Sequence, residues 1–112
     1  MEVFNNIFVN RFRDSMLKHF EENYPEETQH FDQDQMNRFI LDGVDEGNEY
    51  GLTSKKDICI FLNVKILLKV YEPISQSEHS WVEDILNNND LGGPAKRVNY
   101  LSKRADAYLE NQ

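Results

Sequence analysis

Ser54-Lys55-Lys56-Asp57-Ile58-Cys59-Ile60-Phe61-Leu62-Asn63-Val64-Lys65-Ile66-Leu67-Leu68-Lys69-Val70-Tyr71 is the stretch on which the fold class turns. Two periods compete in it. Ile58, Ile60, Leu62, Val64, Ile66, Leu68 and Val70 are apolar at period two, which permits a strand. A strand of this length would be unusual. Ser54, three residues before Asp57, approximates a capping box, with Asp in place of the usual Glu or Gln. The cap decides for a central helix, apolar on most sides. Lys65 and Lys69 then fall near its C-terminal end, where the helix dipole favours cations. Glu72-Pro73 closes the element.

Upstream, a second helix fits residues 32–50. Asp32 or Asp34 can cap its orphan amides. Met36, Ile40, Gly43, Gly47 and Tyr50 fall on one face, with Arg38, Asp42, Asp45 and Glu49 opposite. Gly51 supplies the stop. Gly43 and Gly47 each weaken a helix by roughly 1 kcal/mol relative to Ala, and their positive use would be close approach of a neighbouring helix. Before this, Phe4, Phe8, Phe12, Met16, Phe20 and Tyr24 recur every four residues, with Val3 and Ile7 beside them, so a first amphipathic helix is expected over residues 3–22 and bounded by Pro25.

Downstream, a short helix is expected over 78–86 with Trp81, Val82 and Ile85 inward. A loop follows through Asn87-Asn88-Asn89-Asp90 and Gly92-Gly93. Pro94 suits the first turn of a last helix. Its stripe is Val98, Leu101, Ala105 and Tyr108, and Lys96, Arg97, Lys103 and Arg104 form its solvated side. The expected fold is all-α: a compact single-domain bundle of about five helices over residues 1–112.

The chain has 112 residues, with 39% apolar and 12% aromatic residues, too rich for a disordered acidic chain. Cys59 is the single cysteine, which excludes an internal disulfide and a multi-cysteine zinc site. The N-terminal residues lack a basic stretch and a cleavage-site pattern, so no secretory signal is expected. The longest apolar run is interrupted by Asn63, Lys65 and Lys69 and is too short to span a bilayer. The expected location is the cytoplasm.

No glycine-rich phosphate loop, nucleophile elbow or H-E-x-x-H pattern is present. Cys59 lies in the most apolar part of the chain and reads as a small buried hydrophobe. His79 and Glu83 could share a helix face, which is a meagre basis for a metal site. Asp32-x-Asp34 begins like a calcium loop, but Asn37 stands where its glycine belongs and Gly43 where its bidentate Glu belongs. No catalytic residue, cofactor or metal is therefore assigned, and an enzyme is not expected.

Charge is the informative feature. The formal net charge is −8. Residues 21–49 contain ten acidic side chains (Glu21, Glu22, Glu26, Glu27, Asp32, Asp34, Asp42, Asp45, Glu46 and Glu49) against one basic one, Arg38, for a local net of −9. The remainder, with ten acidic and eleven basic residues, carries +1. Such segregation reads as a solvated face or as a docking surface for a basic partner, where opposed potentials raise the on-rate. The candidate partner-binding residues are Glu21, Glu22, Glu26, Glu27, Asp34, Asp42, Asp45, Glu46 and Glu49. Direct binding of nucleic acid or an anionic membrane is not expected from an acidic chain.

Gly43-Val44, Tyr50-Gly51-Leu52-Thr53, Asp57-Ile58 with Phe61-Leu62, and Trp81-Val82-Glu83-Asp84-Ile85-Leu86 together resemble a group of small all-helical proteins encoded beside type VI secretion and PAAR-type effector genes in bacteria. The resemblance covers about half the chain. Gly47 departs from it where a small alanine is commoner, and Val82 where alanine is expected. It implies an accessory role beside a secreted toxin or effector, as an immunity protein or as a chaperone or adaptor. The alternative is an acidic nucleic-acid mimic that inhibits a nuclease, in the manner of a phage antagonist. Phe4, Phe8, Val9, Phe12 and Leu17 give the first helix more apolar width than one core face requires, so a homodimer is also considered.

Overall fold

Residues 55–68 form a helix, and the period-two run is the mark of a helix buried on most sides, with Cys59, Ile60, Asn63 and Leu67 half-buried. The computed structural model describes residues 6–111, with side chains from residue 9 onward. The expected start of the first helix at residue 3, with Val3 and Phe4 on its face, lies outside the described residues, as do the side chains of Ile7 and Phe8. The elements are α1 (Asn6–Asn23), α2 (Pro25–Thr28), α3 (Gln33–Glu49), α4 (Lys55–Leu68), α5 (Ser80–Leu86) and α6 (Pro94–Glu110), with 3-10 turns at Ile74–Gln76 and Asn89–Leu91. Among the described residues there is no strand.

After Lys56, no residue of α4 is exposed. Ile58, Phe61, Leu62 and Ile66 are fully buried, and α3 and α6 pack against the helix from different sides. A helix apolar all round has to be interior. Ser54 caps it, accepting from the Asp57 N–H at 3.0 Å. The helix ends at Leu68, three residues before the expected Tyr71. Lys69 turns left-handed at φ 60°, and the Val70 N–H returns to the Lys65 carbonyl at 2.9 Å. This is the closure that glycine makes more cheaply.

Gly43 and Gly47 lie where α3 crosses α4. A Cβ at Gly43 would overlap Leu62 Cδ2, and one at Gly47 would overlap Ile58 Cδ1. The expected close approach is present. Asp32, not Asp34, caps α3: its carboxylate accepts from the Gln35 N–H at 2.7 Å while Gln35 Oε1 accepts from the Asp32 N–H at 2.9 Å. Gly51 ends the turn after α3 at φ 84°, as expected for a left-handed stop.

Pro25 does more than bound the first helix. It occupies the first turn of α2, a four-residue helix that the hydropathy pattern does not signal. In α5, Val82 and Ile85 are buried while Trp81 is only partly so, its ring against Tyr108 and His79. In α6, Val98, Leu101 and Ala105 are buried; Arg97, expected on the solvated side, reaches back to the Leu86 carbonyl at 2.6 Å. The Cα radius of gyration of 13.4 Å matches the roughly 13 Å of a compact chain of this length, so no helix is splayed from the rest.

Candidate functional site

α3 carries the acidic surface because its two faces are chemically opposed. Met36, Phe39, Ile40, Gly43, Val44 and Gly47 are buried. At about 100° per residue, Asp34, Arg38, Asp42, Asp45 and Glu49 fall within one stripe opposite that core face. All five are exposed. The stripe runs about 22 Å along the helix axis, at 1.5 Å per residue from position 34 to 49. Glu21 and Glu22 stand exposed in the last turn of α1; Glu26 is exposed and Glu27 half-buried on α2.

Glu46 does not belong to this surface. Its position turns it toward α4, where Oε1 meets Lys65 Nζ at 2.5 Å and Oε2 accepts the Ile74 N–H at 2.6 Å. The side chains are 11% and 4% exposed respectively. Lys65 Nζ also lies 5.6 Å from the Phe39 ring centre and 5.7 Å from that of Phe61. An ammonium this deep needs an anion, and Glu46 supplies it. A lone lysine in the apolar run 58–68 was the signal in the sequence for a buried partner; counting charges without helical phase missed it.

Of the other named carboxylates, Glu22 faces Lys18 at 3.9 Å, a weak and exposed i,i+4 pair. The remaining seven form no ion pair among the described residues. Glu21, Glu22 and Glu49 also sit in the last turns of α1 and α3, which hold no basic residue. The carbonyl end of a helix repels carboxylates by about 0.3–1 kcal/mol each. These charges therefore work against the fold that carries them.

Aromatic rings border the acidic corner. Phe31 meets Tyr71 edge-on, with centroids 5.0 Å apart and planes at 87°, and His30 lies 5.4 Å from the same tyrosine. Tyr71 is among the exposed large hydrophobic side chains. Burial first, and then the Glu27 charge, push its phenol above the ordinary value. Tyr24 is raised by burial and by the charges of Cys59, Glu27 and Asp106.

The other candidate chemistry is absorbed by structure. Cys59 is half-buried and packs against the core, and burial pushes its thiol up despite the Asn63 contact at 3.9 Å. Asn63 bonds His19 Nε2 at 2.9 Å. Glu83 accepts the Tyr50 hydroxyl at 2.9 Å, while His79 meets Trp81 and Tyr108 edge-on, so the two are engaged separately. Among the described residues no group of three or more His, Cys, Asp or Glu is arranged to hold a metal ion. None of the described helices is long and apolar enough to cross a membrane. No protein family, curated protein or solved structure matches the chain.

Proposed function

We propose that the protein is a non-catalytic binding module that docks a basic protein partner on the outer face of α3 and the adjoining α1–α2 corner. The resemblance of residues 43–86 supplies the partner class: a secreted bacterial toxin or effector, met in the cytoplasm and neutralised or escorted there. The observation that carries the reading is the α3 stripe, in which Asp34, Asp42, Asp45 and Glu49 stand exposed without an ion-pair partner among the described residues. Such a surface is complementary to a cationic one and gains most when the partner excludes water from it. Asp42, Asp45 and Glu49 fix the orientation of the partner along α3, while Glu21, Glu22, Glu26 and Glu27 extend the negative potential round the corner. Glu46 has no part in docking. Co-expression with a candidate toxin or effector from the same genome tests the reading. A co-purifying complex and protection of the host cell are expected; loss of both would overturn it.

A further inference from the structure

Between the end of α1, α2 and the start of α3 lies a groove of about 530 Å³. Phe20 and Met36 form its buried floor, and the half-buried Leu17 and Phe31 form its walls. Glu21 and Asp32 stand exposed on its rim. Asp32 gives one oxygen, Oδ1, to the cap of α3, and no ion pair among the described residues engages either carboxylate. The side chain that suits such a lining has an apolar stem and a cationic tip.

We propose that this groove is the anchor site for a basic segment of the protein partner, with an arginine or lysine stem lying against Leu17 and Phe31 above the buried floor and its cation meeting Glu21 and Asp32. The proposal rests on the docking function above and names what the partner inserts. The groove adjoins the α3 stripe: a smaller depression lined by Asp32, Asp34, Gln35 and Arg38 shares Asp32 with the groove and Asp34 and Arg38 with the stripe. A partner lying along α3 therefore reaches the groove without leaving the acidic surface. The groove supplies what the stripe lacks, an apolar wall that strengthens a charge pair by excluding water. Binding energy then concentrates at this anchor, as it does in interfaces with buried aromatic pockets.

The test is a titration of the isotope-labelled full chain, followed by amide chemical shifts, with three eight-residue peptides: alternating leucine and arginine, alternating serine and arginine, and alternating leucine and citrulline. The leucine–arginine peptide is expected to shift amides of residues 17–36. Affinity should fall at least tenfold for each of the other peptides. Gln29→Trp, at an exposed position lining the groove, should lower it by a similar factor while leaving the circular dichroism unchanged. Equal binding of the two arginine peptides, with shifts confined to residues 34–49, would overturn the anchor and leave the docking surface standing. No shift with either arginine peptide would overturn both.

Discussion

Replacing Glu46 by glutamine tests whether the deepest charge in the molecule is held by a single partner. Lys65 and Glu46 attract at 2.5 Å by about 7 kcal/mol at an effective dielectric constant near 20. Desolvation of the two ions takes back most of this, at several kcal/mol each. The intact pair thus adds little net stability, but a broken one is costly. In Glu46→Gln the Lys65 ammonium faces Phe39 and Phe61 without an anion, and the loss expected is about 3–5 kcal/mol. Lys65→Met should cost less, because thioether–aromatic contacts replace the cation and Glu46 keeps the Ile74 N–H. The double variant should be no less stable than Lys65→Met by more than about 1 kcal/mol, giving a coupling of at least about 2 kcal/mol between the sites. Urea unfolding, followed by far-ultraviolet circular dichroism and by the fluorescence of the single tryptophan, Trp81, measures all four proteins. Glu46→Gln within 1 kcal/mol of the wild type, or additive single effects, would refute the reasoning.

Three further outcomes follow from the same structure. Gly43→Val should destabilise by about 1–3 kcal/mol, because its side chain must displace the fully buried Leu62; unchanged unfolding would show that the two helices are not in the described contact. Lys69→Gly should stabilise by about 0.5–1 kcal/mol, since φ 60° strains a residue with a Cβ, and a destabilised variant would contradict the left-handed cap. Burial, the hydrogen bond to Glu83 and the charges of Glu83, Glu46 and Glu49 raise the Tyr50 phenol far above its ordinary 10.0. A raised folded-state value gives stability that is full below pH 10 and is lost as pH rises beyond it, because the unfolded chain releases the proton first. Tyr50→Phe should flatten that alkaline decline, which unfolding midpoints between pH 9 and 11 would show; an unchanged slope would exclude Tyr50 as its source.

Ser54, Gly51, Pro94 and the α3 core face were legible in the sequence because each acts through its near neighbours. A cap needs three residues, and an amphipathic stripe a few turns. α2 was invisible because a single turn has no hydrophobic period, and Pro25 stops one helix and starts another with the same fixed backbone angle. The early end of α4 was hidden for a different reason. Lys69 lacks the glycine signature of a left-handed cap, and Val70 continues the apolar run because it is buried beyond the helix end. Glu46 and Arg97 share a lesson. Both have the local sequence of surface charges, and both serve partners distant in the chain: Lys65 with Ile74, and the Leu86 carbonyl. The groove at the α1–α2–α3 corner depends on α2, so it could not be foreseen from hydropathy alone.

The proposed docking surface meets its most direct test in a paired capture experiment. Immobilised wild-type protein and the Asp42→Lys/Asp45→Lys/Glu49→Lys variant are exposed to cytoplasm of the native host, and bound proteins are quantified by mass spectrometry. Lysine has the higher helix propensity at positions 42 and 45 and relieves the dipole conflict at 49, so the variant should unfold no more readily than the wild type. The wild type should retain a basic protein that salt releases and that the variant fails to bind. The same proteins captured by both baits, in the same amounts and independent of salt, would contradict the acidic face of α3 as a binding site.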